Sequence, residues 1–122
     1  MSEDLVRFLR ARLDEDEQTA RRATEGPWTA EVSSETGHCV IPSDAQSTRE
    51  YVARTQLYAA AFDAEHIARH DPARVLREVE AWRAVLDFVE TVEGSWHFLQ
   101  LMDPLARVWR DHPDFNPAWL DA

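Results

Sequence analysis

The dipeptide Asp71-Pro72 limits what this chain can fold into more than any other feature. Proline has no backbone N–H, and its ring disfavours helical geometry at the residue before it. One helix therefore has to end before Asp71 and another begins at Pro72. Aspartate is a strong N-cap, and proline fits the first helical position. The segment that follows, over about 72–92, has Val75, Val79, Trp82, Leu86 and Val89 in alternating four- and three-residue steps. Leu76, Val85, Phe88 and Val92 widen that stripe, which suits packing in a helical bundle. A stripe of this width calls for more than one neighbour, so a homodimer is one expected arrangement. Gly94 closes this helix and Ser95 is placed to cap the next.

The flanking elements follow from the same kind of reading. Leu5, Val6, Phe8, Leu9 and Leu13 recur at helical spacing over about 3–24, with Ser2 as cap and Ala20 and Ala23 continuing the face. Gly26-Pro27 ends that helix. Trp28, Ala30 and Val32 alternate with polar residues, and His38 to Ile41 forms a second short run beyond the turn Ser34-Glu35-Thr36-Gly37. A hairpin over about 28–41 is expected, leaning on helices because a lone hairpin is marginal. Ser47-Thr48-Arg49-Glu50 has capping-box spacing, and Tyr51, Val52, Leu57, Tyr58, Ala61 and Phe62 supply a stripe, so a helix is expected over about 48–69. A last helix is expected over about 96–112, broken at Asp103-Pro104, which reads as the capping solution of Asp71-Pro72 used again. The tail 113–122 docks through Phe115 and Trp119. The expected architecture is mainly α, a four- to five-helix assembly with a small hairpin in the N-terminal half, in one domain over 1–122.

Composition narrows the function classes. The chain carries 13 basic and 23 acidic residues, a net charge of −10, and all of its basic residues are arginine. Such a chain repels phosphate backbones and contains no basic run, so direct nucleic-acid binding is not expected. The arginines alternate with acids along the chain, which reads as helix-face pairing rather than a phosphate-binding set. One cysteine allows no disulfide framework, and no apolar run approaches a membrane span. The start Met1-Ser2-Glu3-Asp4 is acidic and reads as no secretory signal, giving a cytoplasmic expectation.

Three stretches in order carry a resemblance. They are Phe8 to Glu17 with Gly26-Pro27-Trp28, the central His66-Ile67-Ala68-Arg69-His70-Asp71-Pro72-Ala73-Arg74-Val75-Leu76, and the tail Asp111-His112-Pro113-Asp114-Phe115. Together they resemble an actinobacterial and actinophage family of small proteins of unknown function, domain of unknown function 6221. The resemblance implies an actinobacterial or phage origin and transfers no catalytic role. Many of the resembling proteins carry cysteines between the third and last helices, where this chain has Glu93-Gly94-Ser95-Trp96. A metal held there in those proteins would not be held the same way here.

Several residues carry candidate chemistry. His66 and His70 are four apart on one helix face, next to Glu65 and Asp71, and could give zinc two ligands with His112, His97 or a carboxylate as the third. The plainer reading sets Arg69 and His70 against the helix C-terminus, satisfying its carbonyls and dipole. Cys39 neighbours His38, but adjacent strand residues face opposite ways, so Cys39 reads as a buried small side chain. Asp14 to Glu17, with Asp111 and Asp114, could hold Mg²⁺ or serve acid–base chemistry, yet contiguous acids on a helix form a solvated face. Trp82 and Trp109 read as core, Trp28 as a plug between helix and hairpin, and Trp96 and Trp119 stay open between burial and base stacking. The chain has no strong catalytic motif. The expected function is an acidic accessory or interaction protein that binds a protein partner or small ligand; mimicking DNA and binding a basic protein surface are two ways an acidic, compact chain can do so. The alternative is a small metal-dependent hydrolase or metalloprotein built on His66, His70 and nearby carboxylates.

Overall fold

The computed structural model describes residues 2–92, 100 and 102–120. Its elements in chain order are α1 (Ser2–Arg22), β1 (Trp28–Ser34), β2 (Gly37–Pro42), β3 (Ala53–Thr55), α2 (Ala60–Arg69), α3 (Pro72–Thr91) and the single turn α4 (Asp103–Ala106). Two 3-10 turns, Arg107–Trp109 and Pro117–Leu120, complete the described chain. The fold is mainly α with a three-stranded antiparallel sheet in the order β1-β2-β3. α1 begins at Ser2 itself, the residue expected as its cap. The expected caps at Gly94 and Ser95, the start of the last helix at 96, and Trp96 and His97 lie outside what is described.

The chain divides into two compact units. The first comprises the described residues of Met1–Asp16 and Val79–Ala122. Leu5, Val6, Phe8, Leu9 and Leu13 of α1 are buried there, as are Val79, Leu86 and Val89 of α3, with Ala106 and Trp119. Polar ties run between the same two helices. Arg10 donates to Asp87 at 2.8 Å and also bonds Glu90, and Arg83 meets Asp14 at 2.6 Å. The Glu90 and Asp87 carboxylates raise the Arg10 pKa against the opposing effect of burial. The α3 stripe is narrower than its spacing suggests: Val85 and Phe88 are exposed, at 37% and 65%.

The second unit is Glu17–Glu78. β1 and β2 pair from Trp28↔Pro42 to Ser34↔Gly37, with an irregularity between Glu31 and Ser34. Ser33 takes a positive φ of 62° at that irregularity, and its N–H donates to His38 Nδ1 at 3.0 Å. Gly37 has φ 84°, a conformation in which a side chain would be strained. Cys39, Val40 and Ile41 of β2 are buried, together with Ala60 and Ala64 of α2.

The helix expected over 48–69 is shorter, and its first half is something else. α2 spans only Ala60–Arg69, while Ala53–Thr55 forms the third strand against His38–Val40. Val52 donates to Val40 at 2.7 Å, and Thr55 Oγ1 donates to the carbonyls of His38 at 3.3 Å and Ala60 at 2.6 Å. The open edge of β2 offers backbone partners that outweigh helical spacing, and β-branched Val52 and Thr55 suit a pleated surface. Ser47 to Glu50 forms a local turn instead of a capping box. Ser47 Oγ accepts from Arg49 N–H at 3.1 Å, and Glu50 accepts from Gln46 N–H at 2.7 Å.

Asp71 organises this unit. It is 5% exposed. Its Oδ1 accepts from Arg74 N–H at 2.8 Å, the N-cap bond of α3, and its Oδ2 accepts from Trp28 N–H at 2.7 Å, at the first residue of β1. Gly26 lies so close that a Cβ would stand 2.9 Å from Ala73 N and 3.2 Å from Asp71 Oδ2. Any side chain at 26 would push on helix backbone. The second Asp-Pro pair works differently. Met102, not Asp103, is the cap residue of α4, and no side-chain cap bond forms. Burial raises the Asp103 carboxyl above its ordinary range, opposed by Arg107.

Two outcomes follow from these contacts. Asp71→Ala removes a helix cap, about 1 kcal/mol, and strands the Trp28 donor, about 1–3 kcal/mol. A combined loss of about 2–4 kcal/mol is expected in urea unfolding, with Asp71→Asn losing less because one oxygen remains. Asp103 has a raised folded-state pKa, so its contribution favours folding in acid and is lost as pH rises through that value. Asp103→Asn is therefore expected to raise Tm more at neutral pH than in acid, read by thermal melts at both.

Candidate functional site

The polar residues singled out by the sequence fall into separate places. His66 and His70 are both exposed on α2, with ring centroids 4.4 Å apart and a 41° tilt. His70 Nδ1 lies 2.8 Å from the His66 carbonyl oxygen, and the His70 backbone N–H donates to Ile67 O at 3.1 Å. His70 thus caps the end of α2. His112 belongs to the other unit. Its Nδ1 receives Arg12 Nη1 at 2.7 Å and Asp114 N–H at 3.0 Å, so the proton of the neutral ring sits on Nε2. Among the described residues, no group of three or more His, Cys, Asp or Glu is placed to hold a metal ion. The acids of the middle of α1 serve ion pairs: Asp14 with Arg83, Glu15 with Arg12 at 2.9 Å and Glu17 with Arg21 at 3.0 Å. Cys39 is fully buried, its sulfur 3.6 Å from Thr36 Oγ1 and 3.8 Å from Ser34 Oγ.

Around His112 the first unit builds an aromatic lock. Phe8 meets Trp119 at 5.0 Å, Phe115 at 6.0 Å and His112 at 5.7 Å, and Phe115 meets Trp119 edge-on at 5.2 Å. The Arg12 guanidinium carbon lies 4.9 Å from the Phe8 ring centroid. Trp119 is buried, which resolves the choice between burial and stacking left open by its sequence position. Arg12 is only 6% exposed, and among the described residues its Nε has no hydrogen-bond partner. A buried donor without a partner costs about 1–3 kcal/mol. Packing of the tail against Phe8 offsets that cost.

The second unit presents the opposite arrangement, large apolar side chains facing water. Tyr51 is 42% exposed, Val52 36%, Leu57 74%, Tyr58 106% and Phe62 74%. These are the residues whose spacing suggests a buried stripe. Ala60 N–H donates to Leu57 O at 2.8 Å and Asp63 N–H to Ala59 O at 2.9 Å, so the turn into α2 fixes Leu57 and Tyr58 just ahead of the helix. Within α2, Phe62 and His66 are four residues apart and share a helix face, with Tyr58 in the turn ahead of the helix and His70 at its C-cap. Small Ala60 and Ala64 fill the inward face of α2 against the sheet, and the larger rings point away. The signal for this surface was present as an aromatic series at four-residue steps; its direction was set by which face carries alanine.

The fold defined by these elements is a mainly helical protein with a small antiparallel sheet, and among the described residues no helix is long and apolar enough to cross a membrane. The chain belongs to the family of unknown function DUF6221, whose model matches residues 2–121. No curated protein and no solved structure matches it.

The lock around Arg12 has a measurable consequence. Arg12→Ala removes a nearly buried side chain whose guanidinium lies over Phe8 and leaves a void, an expected loss of about 2–5 kcal/mol in chemical unfolding. Arg12→Met keeps the stem and removes the orphaned Nε, so it is expected to recover more than half of that loss.

Proposed function

We propose that this protein is a non-catalytic accessory protein, of actinobacterial or actinophage origin, that docks on a partner protein through the Tyr51–Phe62 surface. The observation that carries this reading is the exposure of Leu57, Tyr58 and Phe62, three large apolar side chains within six consecutive positions. Each aromatic carries roughly 150–250 Å² of surface, so Tyr58 and Phe62 with Leu57 offer on the order of half the ~800 Å² per partner of a standard interface. Exposed apolar residues scattered singly need no explanation, whereas three this large so close in sequence do. Tyrosine and phenylalanine are also residue types that anchor interfaces. The net charge of −10 favours a partner whose apolar site is rimmed by basic groups.

The test is affinity capture from an actinobacterial lysate with the wild-type chain, the double variant Leu57→Ser/Phe62→Ser, and Val108→Ser as an exposed apolar control in the other unit. The expected result is a protein retained in near-stoichiometric amount by the wild type and the control, and at least tenfold less by the double variant. Equal retention by all three would remove this surface from the reading. Sedimentation of the same proteins separates a second copy of this chain from a different partner: a dimer lost only in the double variant would name the second copy.

A further inference from the structure

The arginines look evenly distributed along the sequence, but the fold gathers three of them around one opening in the second unit. A cleft of about 470 Å³ is lined by Trp28, Arg69, Arg74 and Arg77, with Glu65 and Asp71 as the lining acids. Arg69 comes from the last turn of α2, and Arg74 and Arg77 lie three apart on α3, so they share a face. The bend at Asp71-Pro72 is what brings the two helices' arginines to one place. Ala30 and Ala68 also line the cleft, and their small side chains leave it open.

The positive charge in this cleft is only partly balanced by its two acids, Glu65 and Asp71. Both oxygens of Asp71 are occupied by backbone donors, Arg74 N–H and Trp28 N–H. Arg74 uses Nε on Glu78 at 2.9 Å and Nη1 on the Arg69 carbonyl at 3.2 Å. Among the described residues, neither Arg69 nor Arg77 takes part in an ion pair, while Arg7, Arg10, Arg12, Arg21, Arg74 and Arg83 all do. In a chain with a ten-charge excess of acid, three arginines against two carboxylates, Glu65 and Asp71, line this cleft, a local excess of positive charge. The long-range repulsion of the whole chain is screened over roughly 8 Å at physiological ionic strength, so a bound anion responds chiefly to these neighbours. Guanidinium forks match the geometry of phosphate oxygens. Half-buried Trp28 has its indole N–H on Thr24 O at 3.0 Å, which holds the ring in place at the cleft. An indole face offers a stacking platform for a planar ring.

We propose that this cleft is a binding site for a small phosphomonoester carrying a planar ring, in chemical class a nucleoside monophosphate, with Arg69 and Arg77 on the phosphate and Trp28 against the ring. The site is separate from the Tyr51–Phe62 surface, and either can fail without the other.

Isothermal titration of the full chain with adenosine monophosphate, adenosine and inorganic phosphate tests it. The monophosphate is expected to bind at least tenfold more tightly than inorganic phosphate, and adenosine to give no measurable heat. Arg69→Gln/Arg77→Gln is expected to weaken the monophosphate at least tenfold, and Ala68→Leu, which fills the cleft without changing charge, to weaken it as well. Circular dichroism of each variant confirms that the fold is retained. Absence of heat with the monophosphate at millimolar concentration would overturn the proposal, as would equal affinity in the wild type and the double arginine variant. Inorganic phosphate binding as tightly as the monophosphate would remove the planar ring and leave a simple anion site.

Discussion

One carboxylate carries much of the second unit. Asp71 sits at the bend that Pro72 imposes, and its two oxygens close two backbone positions that the chain itself leaves open: the first turn of α3 and the first residue of β1. A helix N-terminus has donors without intrahelical partners, and the first N–H of a strand that pairs on one side needs an acceptor elsewhere. A neutral side chain of the same size could accept at one of these positions. Only a carboxylate has lone pairs to serve both while its charge also favours the helix dipole. The close approach of Gly26 to Ala73 and Asp71 is the steric side of the same junction, since the chain can pass α3 this closely only without a Cβ.

The first unit solves a different problem with different chemistry. Its tail is punctuated by prolines and has no long helix to hold it, so side chains must. Phe115 and Trp119 close on Phe8, and His112 and Asp114 close on Arg12. The guanidinium is nearly buried with one nitrogen orphaned, an arrangement that is not optimal for stability alone. Its contribution is specificity: Arg12 meets both the ring of Phe8 and the acceptor nitrogen of His112, which fixes where the tail lies on α1.

Much of this was legible in the residues. Asp71-Pro72, Gly26-Pro27 and the Ser34-to-Gly37 turn are local signals whose physics does not depend on distant contacts, and they mark the observed breaks. The segment 48–59 was misread because periodicity describes spacing and not the availability of a hydrogen-bonding edge; β2 supplied that edge, and Val52 and Thr55 took it. Asp103 resembles Asp71 in sequence, yet capping depends on where the helix begins, and α4 begins after Met102. The histidine spacing correctly placed His66 beside His70, but a third ligand depends on tertiary placement, and His112 is engaged by Arg12 in the other unit. The arginine cleft could not be read from spacing, because its members come from two helices joined by a bend whose angle no sequence pattern states.

The two exposed features of the second unit are different in kind, and the difference bears on what the unit is for. Leu57, Tyr58 and Phe62 face water at an energetic cost that more polar side chains at those positions would avoid. Burying them in the protein's own core was sterically open only to the alanine face of α2, which is the face the sheet accepts. Arg69 and Arg77 incur no such cost, since an exposed guanidinium is well solvated. Their position matters because, with Arg74, they outnumber the acids of the cleft, of which Asp71 is committed to backbone donors. An apolar surface that gains by being covered and a cleft with more arginines than acids both favour external ligands over internal ones. α2 contributes to each, its N-terminal turn to the first and its C-terminal turn to the second.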